Sequence, residues 1–89
     1  MTDSMLKRLC TSLINVGLKS QELKKEIMRY NKHKSLYSCF SGRVRFNFAN
    51  YNFTMLVESE DPASITAKNV TEYELRDRKN NTILATASA

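Results

Sequence analysis

RVRFNFANYNFTMLV, residues 43 to 57, decides the fold of this 89-residue chain. Apolar and aromatic residues alternate with polar ones on both sides of Ala49-Asn50. A period of two over five to seven residues predicts two half-buried β-strands. The turn-rich residues between the two runs predict that these strands form an antiparallel hairpin.

A second hairpin is expected further along the chain. Tyr73 and Leu75 alternate with charged residues, and TILATAS, residues 82–88, predicts a last strand. Asn80-Asn81 suits the tight turn between them, because Asn tolerates positive φ. The two hairpins together predict a small antiparallel sheet of about four strands.

The segments that flank these hairpins carry Gly and Pro signals. Gly42 indicates either a bulge or the start of the first strand. Asp61 as a cap and Pro62 at the first helical position predict a short helical link near residues 62–68.

The N-terminal third of the chain has a helical period. Asp3 or Ser4 is expected to cap a helix over residues 3–31, and its apolar face follows spacings of three and four. Gly17 leaves two interpretations open, one bent helix or two short helices, and the unbroken spacing favours one helix. The face comprises Leu6, Leu9, Leu13, Val16, Ser20, Leu23, Ile27 and Tyr30.

These patterns predict one α+β domain over residues 1–89. A long N-terminal amphipathic helix, 3–31, is expected to pack on an antiparallel sheet region, 36–89. No apolar run is long enough to cross a bilayer and no secretory signal is evident, so a cytoplasmic location is expected.

The net charge of +5 belongs to the helical part. Residues 1–40 hold eight Lys or Arg and three Asp or Glu, whereas residues 41–89 hold six of each. Five cations lie near the expected helix end, where the macrodipole favours them even without a ligand. They are Lys24, Lys25, Arg29, Lys32 and Lys34, and the alternative interpretation is a nucleic-acid interface.

A continuous helix would also leave apolar residues uncovered. Ile14 and Leu18 would lie opposite the buried face, one turn apart and beside cations. An exposed apolar pair with a basic rim is typical of a docking surface for a protein partner. The predicted partner-binding residues are Lys7, Ile14, Leu18, Lys25, Arg29 and Lys32.

The same helical region is compatible with other arrangements. A homodimer or larger homo-oligomer assembled through the N-terminal helix is a further alternative. A helix-turn-helix over residues 9–28 is disfavoured, because Leu13 stands where a small residue is needed. In the sheet, Arg43 and Arg45 are expected to form cross-strand ion pairs with acidic residues, namely Glu58, Glu72 and Glu74.

Catalysis is not expected. His33 is the single histidine, and no acid is placed to orient it toward Cys39. Glu58, Glu60 and Asp61 form the one acidic cluster, which fits a strand end better than a metal site. With two glycines the chain has no phosphate-binding loop, so no cofactor or metal is predicted. Cys10 and Cys39 are expected to be thiols rather than a disulfide.

In its size and style the whole chain is similar to small accessory proteins of bacteriophages and mobile elements. This resemblance transfers no single residue. It implies stoichiometric binding that blocks a host enzyme or a defence complex. The sequence therefore predicts a non-catalytic binding protein, with nucleic-acid binding as the alternative.

Overall fold

The computed structural model describes residues 1–59 and 64–88, and in it two helices precede a five-stranded antiparallel sheet. The α+β class is confirmed, with five strands rather than about four. A single 3-10 turn, Lys34–Leu36, connects the helices to the sheet. The helices are α1 (Asp3–Val16) and α2 (Ser20–Lys32), and the strands are β1 (Cys39–Phe40), β2 (Arg43–Asn47), β3 (Tyr51–Val57), β4 (Val70–Asp77) and β5 (Ile83–Ser88).

The prediction of one continuous helix is wrong, because α1 ends at Gly17. Gly17 adopts a left-handed conformation with φ of 72°, and its N–H donates to the carbonyls at the end of α1. The N–H of Leu18 donates to the carbonyl of Leu13 at 3.0 Å. This pair of bonds is a Schellman motif, in which the residue after the glycine turns its side chain back onto the helix. Leu18 is accordingly buried, at 7% exposure.

Helix α1 begins at Asp3 as predicted, but neither Asp3 nor Ser4 is its N-cap. Thr2 is the N-cap, and its hydroxyl accepts from the N–H of Met5 at 3.2 Å. Asp3 lies in the first turn, where its carboxylate faces the positive end of the helix dipole. Helix α2 starts at Ser20 without a side-chain cap. Its buried Leu23 and Tyr30 and its half-buried Ile27 pack against the core and hold it in place.

The five strands follow one another as a meander in the order β1-β2-β3-β4-β5. Strand β1 was not predicted, and it pairs with β2 through a two-residue turn. Ser41 and Gly42 both have positive φ, as a primed hairpin turn requires. Gly42 thus precedes β2 and does not form a bulge. The predicted tight turn before β5 contains Asn81 with φ of 58°.

The predicted helical link near residues 62–68 is wrong for residues 64–68, the part of it that the structure describes. Residues 64–66 have no regular secondary structure, and residues 67–69 form a turn rather than a helix. Asp61 and Pro62 lie outside the described residues. Ile65 is buried, and Asn31 of α2 holds it by two main-chain bonds. The Asn31 amide donates to the Ile65 carbonyl at 3.2 Å and its oxygen accepts from the Ile65 N–H at 2.7 Å.

The core lies between the two helices and one face of the sheet. Met5, which sequence spacing left out of the apolar face, is 2% exposed, whereas Leu6 is 43% exposed. Alternate strand residues complete the core, and the Phe53 and Tyr73 rings stack with centroids 5.7 Å apart. The most deeply buried strand residues are Val44, Phe46, Phe53, Met55, Tyr73 and Leu75. The opposite face of the sheet is not covered by either helix.

Candidate partner-binding surface

Helix α2 places three of the predicted partner-binding cations on one exposed surface. Lys25, Arg29 and Lys32 recur at spacings of four and three, so they project from the same side of the helix. With Met28 and His33 they line a shallow depression. Met28 is 60% exposed in the middle of these cations, so the surface is basic but not wholly polar.

Helix α1 divides the remaining predicted residues. Lys7 is exposed beside Arg8 and Thr11, and Ile14 is 76% exposed. Leu18 belongs to the core, so the predicted exposed pair of Ile14 and Leu18 does not form. Ile14 lies instead near the junction of the two helices.

The residues predicted for a nucleic-acid interface do not form one surface. Lys34 lies in the 3-10 turn, is half-buried and has an interaction partner. Tyr30 has no exposed surface, so its ring cannot stack on a base. Lys24 lies on the opposite side of α2 from Arg29, where it lines a cleft.

An apolar cleft of about 230 Å³ lies between the two helices. Its lining is almost entirely apolar, and Lys24 is the charged side chain among the lining residues. The α1 side contributes Cys10, which is exposed, and the half-exposed Leu6. The floor and the α2 side include Leu9, Leu13, Leu23, Ile27, Met55 and Ile65.

The splay of the helices explains this cleft. Gly17 ends α1 and the chain turns at once into α2, while the core contacts of each helix are made with the sheet. The Asn31 bonds to Ile65 hold α2 against the 64–69 segment, so the cleft is closed at its base. Sequence periodicity assigned Leu6, Leu9, Leu13, Leu23 and Ile27 to one buried face of a single helix, and it therefore could not show a cleft between two helices.

One end of α2 has a network of aromatic and charged groups. Tyr37 donates to the carboxylate of Glu26 at 2.6 Å, and the Arg29 guanidinium lies 5.8 Å from the Tyr37 ring centroid. The Tyr37 ring also packs edge-on against Tyr30 and Phe46. Burial, followed by the hydrogen bond to Glu26 and its charge, raises the pKa of Tyr37. Glu26 is thus engaged within the chain by Tyr37.

The outer face of the sheet is a second surface that the sequence did not identify. It is a broad groove that has Arg43 and Arg45 on β2 and Glu72 and Glu74 on β4. Strand β3 lies between these strands, so the predicted cross-strand ion pairs do not form. Glu74 pairs instead with Arg76 along its own strand.

Groups that could support catalysis or metal binding remain apart. Cys10 and Cys39 do not form a disulfide. Within residues 1–59 and 64–88, no three His, Cys, Asp or Glu side chains are grouped so as to hold a metal ion. Glu60 and Asp61 of the acidic cluster lie outside those ranges.

Comparison with protein-family models, with curated proteins and with solved structures gave no match to this chain. Across the part of the chain that the structure describes, no helix has the length and apolar character needed to cross a bilayer.

Proposed function

We propose that this protein is a non-catalytic binding protein that associates stoichiometrically with an acidic segment of a protein partner. The partner binds across the outer surface of α1 and α2 and inserts an apolar side chain into the cleft between them. The observation that carries this proposal is the apolar cleft with Lys24 at its edge, together with the separate group of exposed cations further round α2.

The cleft supplies the affinity. A volume of about 230 Å³ has room for a large apolar side chain such as Leu or Phe. Hot spots in protein interfaces are typically such anchors, buried in a pocket and surrounded by weaker contacts. The half-exposed Leu6 and the exposed Met28 add apolar contact area on the two helices.

The cations supply rate and selectivity. Lys25, Arg29 and Lys32 are exposed, and Lys7 lies on α1. Complementary charge mainly accelerates encounter and rejects wrong partners, and salt weakens it. An acidic segment with one apolar anchor matches both features, in the manner of small accessory proteins that block a host enzyme or a defence complex.

The surface suits a protein better than a nucleic acid. A phosphate backbone gains little from an apolar cleft or from Met28 in the middle of the cations, whereas both add to a protein interface. Base stacking has little support here, because Tyr30 is fully buried and the half-buried Tyr37 ring is already engaged by Arg29.

Selection from a displayed library of random peptides tests the proposal. Peptides rich in Asp and Glu with a central Leu, Ile or Phe should be enriched. Lys25→Glu should weaken a selected peptide about tenfold, with a loss that shrinks as salt rises. Lys79→Glu is the matched control, because it makes the same charge change in the exposed β4–β5 turn.

The cleft has its own variant. Leu6→Asp places a carboxylate at the cleft and should reduce peptide binding at all salt concentrations. Leu36→Asp changes another exposed leucine away from the cleft and should have no effect. Binding of duplex DNA that falls steeply with salt and is unaffected by Leu6→Asp would contradict the proposal and would identify a nucleic-acid interface.

A further inference from the structure

The outer face of the sheet consists of three rows of side chains that cross the strands. The register aligns Phe40, Arg43, Leu56, Glu72 and Ser88 in the first row. The second row holds Arg45, Thr54, Glu74 and Thr86, and the third holds Asn47, Asn52, Arg76 and Ile83. Because paired residues point to the same side, each row lies on one face.

Charge is distributed unevenly across these rows. In the first two rows the side of β2 carries two arginines and the side of β4 carries two glutamates, with neutral β3 between them. Arg43 and Arg45 are exposed and form no ion pair within the described residues. Adjacent strands are about 4.8 Å apart, so two strand spacings separate the arginines of β2 from the glutamates of β4, and no ion pair bridges them within the described residues.

In these two rows the face therefore has opposite charges on either side of β3, and Arg76 of the third row lies on the β4 side, where it pairs with Glu74. A second copy turned by 180° about an axis along β3 would place its β4 over the first copy's β2. Arg43 would then face Glu72 of the second copy, and Arg45 would face Glu74. An axis across the strands would instead place arginine over arginine, so the charge pattern selects the axis along β3.

We infer that two copies of this chain associate through their outer sheet faces, with the two-fold axis along β3. The strands of the two sheets then run in nearly the same direction, as in aligned sheet packing. Thr54 and Leu56 lie on the axis and face their own equivalents. Phe40, which is 80% exposed, lies at the end of the first row and covers β5 of the other copy.

This association leaves the helices free. The helical layers lie on the two outer sides of the dimer, because each covers the opposite face of its own sheet. The dimer would thus present two partner-binding surfaces.

Sedimentation of the full chain tests the dimer. The wild type should sediment with twice the chain mass at tens of micromolar protein, and the association should weaken as salt rises. The double variant Arg43→Glu/Arg45→Glu makes both strands beside β3 acidic in the first two rows, and Glu72→Arg/Glu74→Arg makes both basic there. Each alone should raise the dissociation constant at least about 100-fold through like-charge repulsion.

Mixing the two variants is the decisive step. An equimolar mixture should recover the dimer as a heterodimer, because every pair across the axis is again of opposite charge. Lys25→Glu/Arg29→Glu changes the charge by the same amount on α2 and should remain dimeric. Circular dichroism and urea unfolding establish that each variant is folded.

A cross-link locates the axis independently. Thr54→Cys, with Cys10→Ser and Cys39→Ala, should be joined to its equivalent by a short bis-maleimide in high yield. Asn47→Cys in the same background lies away from the axis and should be joined far less. A monomeric wild type, or a dimer that persists in both charge variants, would overturn the inference even if the helical surface binds its acidic peptide.

Discussion

The two faces of the sheet are built from alternate residues of the same strands, yet they differ in nearly every property. Phe46 and Phe53 of the inner face have no exposed surface, whereas Arg45 and Thr54, their neighbours in sequence, lie on the outer face. The helices cover one face, and the hydrophobic effect fixes the residues there. The helices leave the outer face uncovered, so folding does not require apolar residues there.

The largest difference between the faces should appear in stability. Phe53→Ala removes a ring that stacks on Tyr73 and leaves a cavity under the helices. We expect it to lower the free energy of unfolding by about 3–5 kcal/mol. Thr54→Ala, one residue along on the outer face, should change it by less than about 0.5 kcal/mol. Urea unfolding followed by circular dichroism measures both.

Equal losses from the two substitutions would mean that the outer face is also packed in solution. Because the proposed dimer would bury Thr54, unfolding is measured at a protein concentration below the dissociation constant of the dimer and again at a concentration above it. A Thr54 effect that appears only at high concentration would favour the dimer.

The second prediction compares the two glycines. Gly17 lies between α1 and α2, and Gly42 immediately precedes β2. A Cβ on Gly42 would lie 2.6 Å from the Val57 carbonyl oxygen and 2.8 Å from that of Ser59. A Cβ on Gly17 would meet nothing within 4 Å. Both have positive φ, so Gly17→Ala should cost about 1 kcal/mol, and Gly42→Ala should cost at least about 2 kcal/mol because a clash adds to the strain.

Thermal unfolding of both variants checks this order. A larger loss at Gly17 than at Gly42 would show that the break between α1 and α2 matters more to the fold than the β1–β2 turn. Gly17→Asn should recover part of the loss, since Asn tolerates the left-handed conformation.

The sequence predicted the inner face well because burial leaves a periodic signal. Val44, Phe46, Phe53 and Met55 alternate with polar residues, and all four are buried as expected. The helix break was missed because the apolar spacing continues in phase across Gly17. Only the local geometry, a left-handed Gly17 followed by a buried Leu18, distinguishes two helices from one.

The candidate surfaces were harder to predict, because they depend on which elements lie side by side. The cations of α2 were predicted from their spacing. The cleft could not be predicted in that way, because its lining combines Leu6 of α1 with Ile27 of α2, which are two separate helices. The separation of positive and negative charge on the outer face depends on the meander order, which places β3 between Arg43 and Glu72. A sequence with no motif gives no signal for either arrangement.

The third prediction concerns the two hydrogen bonds between Asn31 and Ile65 that hold α2 over the inner face. Asn31→Ala removes both bonds to the main chain of Ile65 and should destabilise the fold by about 1–2 kcal/mol. Asn15→Ala, an exposed change on α1, is the control and should be nearly neutral. Faster hydrogen exchange of the Ile65 N–H in Asn31→Ala would confirm that these bonds stabilise the segment around Ile65, and unchanged exchange there would contradict it.

The smallest effect should be a pH dependence at the edge of the inner face, where the Tyr37 ring packs on Phe46. Burial and the bond to Glu26 raise the pKa of Tyr37 above 10.0, its value in the unfolded chain, and burial raises the pKa of Tyr73 in the same way. The folded state therefore holds these protons more tightly. Their stabilisation is complete below pH 10 and is lost as the pH rises through the pKa of the folded state.

Tyr37→Phe removes one of these two titrating groups, so the free energy of unfolding should fall less steeply above pH 10 than in the wild type. Glu26→Gln keeps an acceptor for the Tyr37 hydroxyl but removes the charge, so its slope should lie between the two. Urea unfolding at several pH values below and above 10 gives these slopes. A Tyr37→Phe slope equal to that of the wild type would mean that Tyr73, beneath the helices, accounts for the whole effect, and that the edge of the inner face is open to water.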